Sequence, residues 1–336
     1  MRWTRRQAIA GCGGALAMLA GQRVLAQESA KSAAPKAAYP GQTIKIIVPY
    51  PTGASTDFLG RMVADQLQAG LGATVKVENR PGNGTAIGAE QVAHATPDGY
   101  TLLIATSTTL AINKALYRKL PYDPVKDFTP IALVAGVPFA LIVNPQLPAK
   151  TLAEFIAYAK SKPGLSYGSA GIGSPQHLAA EMLKAAAGID IRHVPYRGNM
   201  PAMLDVIAGH IPFMMTDLQP ALPQISAGKV RVLGVTTPKR VAAAPEIPTL
   251  AESGLPGFEI VAWQGVVGPA GMSRPIVERL AAQIEKLTTD PVACDKLKAA
   301  ALEPLPGSNP DSFAAYIKSE TDRWAAIVRR SGAELE

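Results

Sequence analysis

From residue 43 onward the chain alternates short β-rich runs with Ala- and Leu-rich amphipathic stretches, and few architectures accept that pattern. It is the signature of an α/β fold built on parallel strands. The first cycle places a strand at Thr43 to Val48, a helix at Thr56 to Ala69, a strand at Thr74 to Glu78, a helix at Thr85 to Ala95 and a strand at Thr101 to Ala105. Pro97-Asp98-Gly99 supplies the turn between the last two. A second set begins with a strand at Phe139 to Val143. It continues through helices near Leu152 to Ala159 and Gln176 to Ala187, and strands around Ile191 to Val194, Ile211 to Met215 and Val230 to Val235. The Pro- and Gly-dense stretch Ala242 to Gly257 reads as a connection. After it come a strand at Glu259 to Val267 and helical patterns near Ile276 to Leu287, Val292 to Ala301 and Ser312 to Arg330. No fixed-period repeat is present. Two α/β lobes with a C-terminal return to the first would enclose a cleft, where small ligands are buried by hinge closure.

The 336 residues carry 33 Lys and Arg against 26 Asp and Glu, a net charge of +7 that invites a nucleic-acid reading. Much of that excess sits at the N-terminus. Arg2, Arg5 and Arg6 precede the apolar stretch Ala8 to Ala20 and the small-residue pattern Val24-Leu25-Ala26, the order of a secretory signal peptide. Removing residues 1–26 takes away four arginines and no acid, which leaves 29 basic against 26 acidic residues, a net of +3. Thr4-Arg5-Arg6-Gln7 resembles a twin-arginine signal, with an ordinary Sec signal as the alternative. Cys12 reads as a chance lipobox match, so Cys294 is the single thiol expected in the mature chain and no disulfide is expected. Residues 27–41 form a leader of Ala, Ser, Lys and Pro, and no later run approaches the ~18 apolar residues of a membrane span. The expected location is the periplasm.

Two loops carry the chemistry. Pro49-Tyr50-Pro51-Thr52-Gly53-Ala54-Ser55-Thr56-Asp57 joins a strand to a helix, with Gly53 for the tight turn and Ser55 or Thr56 as N-cap. Unpaired amides at such a helix start form an anion site. Tyr167-Gly168-Ser169-Ala170-Gly171-Ile172-Gly173-Ser174-Pro175-Gln176-His177 is its counterpart in the second lobe, with Pro175 suited to the first helical position. One loop per lobe could clamp a small anion. Pro195-Tyr196-Arg197-Gly198 adds a phenol and a guanidinium that suits carboxylates. Asp217 either caps a helix or reaches the cleft, and Trp263 and Gln264 could line the hinge.

Enzymatic constellations are missing from the sequence. Gly82, Gly84 and Gly88 do not have dinucleotide-binding spacing, and no G-x-S-x-G elbow occurs. Ser226 and Lys229 match S-x-x-K without its partner motifs. His94, His177, His193 and His210 lack metal-ligand spacing, so no metal, cofactor or catalytic residue is expected.

The segments Val48-Pro49-Tyr50-Pro51, Val77-Glu78-Asn79-Arg80-Pro81-Gly82, Pro97-Asp98-Gly99-Tyr100-Thr101-Leu102-Leu103, Leu120-Pro121-Tyr122-Asp123-Pro124-Val125-Lys126-Asp127-Phe128, Val194-Pro195-Tyr196-Arg197-Gly198, Val235-Thr236 and Pro248-Thr249 together carry a resemblance. In order and spacing they resemble the Bug family, the periplasmic solute-binding proteins of tripartite tricarboxylate transporters, from about Tyr39 to Gly332. The resemblance implies a two-lobed Venus-flytrap fold, class II-like, that holds a small carboxylate between its lobes. Residues 42–137 with 259–336 would form the first lobe and residues 138–258 the second. It also implies a ligand site made of Thr52, Gly53, Ala54, Ser55, Thr56 and Asp57, with Ser107 and Thr108. Ser169, Ala170, Gly171, Ser174, His177, Tyr196, Arg197, Gly198 and Asp217 would complete it. Where the family commonly shows Pro-Gly-Gly, this chain has Thr52-Gly53-Ala54-Ser55; it gains hydroxyls and loses a glycine, so the ligand stays open. The implied partners are the transporter's membrane components, with a sensor kinase as the alternative recipient and a periplasmic enzyme as the remaining reading.

Overall fold

The computed structural model describes residues 39–335. The signal peptide expected over residues 1–26, Cys12 with it, and most of the expected leader lie outside the described residues.

Strand β1 (Ile44–Val48) leads through the first glycine loop to α1 (Ser55–Leu71), then β2 (Val75–Asn79), α2 (Ala86–Ala93) and β3 (Thr101–Thr106). A π-helical turn at Thr108–Ile112 runs into the short α3 (Asn113–Leu116). Next come β4 (Phe128–Val143), α4 (Leu152–Ser161), β5 (Leu165–Ser169), α5 (Pro175–Ala187), β6 (Ile191–Pro195), α6 (Asn199–Ala208), β7 (Phe213–Asp217), α7 (Leu218–Ser226) and β8 (Arg231–Val235). The chain closes with β9 (Val261–Pro269), α8 (Arg274–Ile284), α9 (Lys286–Thr289), α10 (Pro291–Ala299), β10 (Glu303–Pro304) and α11 (Pro310–Ser331).

Among the described residues the strands form one mixed sheet in the order β2-β1-β3-β9-β4-β7-β5-β6, with β8 and β10 also on β4. Strands β2, β1 and β3 are parallel, as are β6, β5 and β7. The antiparallel strands β9 and β4 join these two parallel units. Parallel strands are covered by helices on both faces and read as near-continuous apolar runs. Accordingly Ile44, Ile46, Ile47 and Val48 of β1 are fully buried. Helix α1 lays Leu59, Val63 and Leu67 against the sheet in one stripe, and each such side chain stabilises by roughly 1.5–3 kcal/mol on burial. In the second unit Met203 and Val206 of α6 pack with Ile142 and Met214 from the sheet.

The expected strand Phe139 to Val143 is the end of a 16-residue strand. Up to Pro138, β4 pairs with β9; from Phe139 it pairs with β7 and β8. Its two prolines are accommodated because Pro138 ends the β9 ladder and Pro130 borders a register shift, the places where a sheet tolerates a missing N–H. Helices α6 and α7, which hold Pro201, Pro220 and Pro223, are additions to the sequence reading. Helix α11 returns across the first unit and carries Glu320, whose buried carboxylate accepts both indole N–H groups, from Trp263 at 3.0 Å and Trp324 at 2.8 Å.

Candidate functional site

A cavity of about 160 Å³ opens where four helices begin. Its wall includes Ala54, Ser55 and Thr56 at the start of α1, Pro175 and Gln176 at the start of α5, Gly198 and Asn199 at the start of α6, and Asp217 at the start of α7. Each helix follows a strand of the same sheet, so every helix start lies at the carboxyl end of a strand. Tyr50, Ser107, Thr108, Phe139, Trp263 and Gln264 add hydroxyl, aromatic and amide surface, and Arg197 is exposed at the rim.

Gly53, at φ +87°, lets the first loop turn back on itself. Its N–H donates to Asp57 Oδ2 at 3.1 Å, while Asn79 Nδ2 and Arg61 Nη2 donate to Asp57 Oδ1 at 2.9 and 3.0 Å. Burial would raise the Asp57 carboxyl, but these donors outweigh it and hold it below the usual carboxylate range. Asp57 therefore fixes the shape of the loop and does not line the cavity. The N-cap position belongs to Ala54, not to Ser55 or Thr56, and Ala54 has no side chain to accept the first amides. The Ser55 and Thr56 N–H groups thus have no intramolecular acceptor among the described residues. Helices α6 and α7 also lack a side-chain cap. Asp217 stands at the N-cap of α7, yet its side chain leaves the helix for the cavity. Only α5 is capped, by Ser174 Oγ accepting from His177 N at 3.3 Å, with Pro175 in the first turn as expected.

At the back of the cavity Ser55 Oγ donates to Asp217 Oδ2 and Gln176 Nε2 donates to Asp217 Oδ1, each at 2.6 Å. Gln264 Nε2 donates to Ser55 Oγ at 3.2 Å and to Thr56 Oγ1 at 3.0 Å. Burial pushes the Asp217 carboxyl above its usual range, against the pull of the Ser55 and Gln176 hydrogen bonds. Tyr50, whose hydroxyl donates to Thr108 Oγ1 at 3.1 Å, is pushed up to about 12 by burial.

Of the residues expected at the site, Thr52, Gly53, Ala54, Ser55, Thr56, Ser107, Thr108, Ala170, Arg197, Gly198 and Asp217 share this cavity. Gly171, Ser174 and Tyr196 line an adjoining space of about 720 Å³ that shares Tyr50, Ala170 and Arg197 with it. The Tyr196 hydroxyl is taken by Asp205 Oδ2 at 2.6 Å. Ser169 and His177 are brought to neither space. Ser169 Oγ donates to the Gly171 carbonyl and lies 2.6 Å from His193 Nε2. His177 is packed on the His193 ring at 3.9 Å between centroids, and its Nδ1 accepts from Gly173 N. Burial lowers both imidazoles to about 4. Tyr50 and Gln176 lie within the two loops singled out in the sequence but were not expected at the site, and neither was Asn199. Gln176 was legible in principle, since it directly follows the Pro175 that opens α5.

No group of three or more His, Cys, Asp or Glu among the described residues could hold a metal ion, and no described helix is long and apolar enough to cross a membrane. Two parallel α/β units, joined by antiparallel strands and directing helix starts at one buried cavity, define a two-lobed solute-binding protein of the periplasmic type. The chain belongs to the tripartite tricarboxylate transporter family receptors (TctC), whose pattern its residues 59–333 match. Protein BugT of Bordetella pertussis is 34% identical over 300 residues, covering 89% of this chain and 92% of that protein. Among solved structures, Rpa4515 of R. palustris with adipate has a TM-score of 0.85 at 34% identity, covering 88% of this chain and 100% of that one. MatC of Rhodopseudomonas palustris with bound malate has a TM-score of 0.80 at 32% identity, with 86% and 100% covered. The resemblance to Bug proteins read from the sequence is borne out.

Proposed function

We propose that the protein is an exported receptor that captures a small carboxylate, aliphatic or aromatic, and hands it unchanged to the membrane components of a tripartite tricarboxylate transporter. The observation that carries this reading is the convergence of four helix N-termini, three without a side-chain cap, on one buried cavity. Each terminus carries about half a positive charge and the three uncapped ones leave their first N–H groups without a side-chain acceptor, so together they favour an anion that can accept several hydrogen bonds. Adipate and malate in the two similar structures support the carboxylate class. Residues 42–137 with 259–336 act as one lobe and 138–258 as the other, a division supported by the change of partners along β4 at Pro138 and Phe139. The arginines and small-residue pattern ahead of Ala26 support cleavage there and residence in the periplasm.

The test is thermal unfolding with a panel of dicarboxylates, tricarboxylates and aromatic acids that includes adipate and malate. A ligand at about 100 times its Kd stabilises by about 2.7 kcal/mol, a readily measured rise in Tm. A panel that leaves Tm unchanged throughout overturns the proposal.

A further inference from the structure

Resting on the carboxylate reading, we infer that the back of the cavity receives a hydrogen-bond donor, so that the ligand is a carboxylate that also carries a hydroxyl, ammonium or primary amide.

The polarity of this wall follows from Asp217. Both of its oxygens accept, Oδ1 from the Gln176 NH2 and Oδ2 from the Ser55 hydroxyl, which spends its one proton there. Ser55 can then only accept from Gln264, which turns the Gln264 NH2 toward Ser55 and Thr56. Asn199 is set the same way. Thr216 donates its hydroxyl to the Asp217 carbonyl, so Asn199 Nδ2 donates to Thr216 Oγ1 at 2.8 Å. Each amide uses its donor end on a neighbour and keeps its carbonyl.

Those carbonyls are the leftover groups. Gln176 Oε1, Gln264 Oε1 and Asn199 Oδ1 are buried without a hydrogen-bond partner, and so is the Ser107 hydroxyl. Gln176 is 6% exposed, Gln264 3% and Ser107 fully buried, and all four residues line the cavity. A buried acceptor left unmade costs about 1–3 kcal/mol, so several on one wall reward a ligand that brings N–H or O–H. A ligand offering only acceptors would meet them and Asp217 with like polarity. One molecule with a carboxylate toward the helix starts and a donor toward these carbonyls satisfies both.

The experiment is calorimetric titration of the whole protein with matched acids that differ in one donor: malate and aspartate against succinate, glutamate and 2-hydroxyglutarate against glutarate, 4-hydroxybenzoate against benzoate. The expected result, in the skeleton that binds, is a donor-bearing acid at least about 10-fold tighter than its parent. Conversion of its hydroxyl to a methyl ether, or of its amine to a dimethylamine held neutral by the assay pH or to a quaternary trimethylammonium, loses the gain. Asp217→Asn frees Gln176 to reverse its amide and brings the preference below about 3-fold. Parent and donor-bearing acids bound with equal affinity overturn this inference alone. Binding of no carboxylate overturns the carboxylate reading, and this inference with it.

Discussion

His177 illustrates how a residue that looks functional in sequence can be spent on packing, here against His193. Both stand near the second glycine loop, but they stack on each other and the Gly173 N–H uses the acceptor at His177 Nδ1. Protonation would remove that acceptor and place two like charges in contact. Because burial lowers both groups to about 4 from an ordinary 6.5, the unfolded chain binds more protons than the folded one between those values. The contribution is complete above about pH 6.5 and is lost as pH falls toward 4. Tm should decline over that interval, and His177→Gln should show a shallower decline, the difference being on the order of 2 kcal/mol at its acid end. Parallel profiles for the two proteins would contradict this account. Asp217 is the opposite case. Its position before a helix suggested a cap, and the alternative of reaching the cleft is the one the side chain takes.

At the scale of elements, α1 and α5 were legible because apolar periodicity and a glycine loop marked them together. Helices α6 and α7 were not. Asn199-Met200-Pro201 and Leu218-Gln219-Pro220 place proline in the first turn, where it removes no intrahelical hydrogen bond, but in sequence the same residues read as loop. Half of the helix starts around the cavity were therefore hidden, and Asn199 with them. Gln264 is separated by more than 200 residues from the two hydroxyls it joins, a proximity no local pattern encodes. The seating of α1 also depends on one close approach. A Cβ on Gly60 would come within 2.6 Å of Val48 Cγ2, a stiff β-branched side chain just ahead of the first loop. In an open helix Gly60→Ala would stabilise by up to about 1 kcal/mol; here overpacking of about 1–3 kcal/mol should win. Lower Tm together with weaker carboxylate binding is the expected pair of readouts, and a rise in Tm would show that α1 does not need this contact.

Across the whole molecule, the α/β class and the paired glycine loops were readable because parallel units repeat one local grammar. The route by which β4 passes from one unit to the other was not, since Pro130 and Pro138 obscured a continuous strand. The proposed anion site draws its positive character mainly from the main chain. Amide dipoles do not titrate, and at this depth they are poorly screened by salt. Carboxylate affinity should change less than about 3-fold between 0.05 and 0.5 M salt by calorimetry, while the association rate, steered by the exposed Arg197, falls. Such a receptor keeps the same grip on its solute whether the medium outside the cell is dilute or saline.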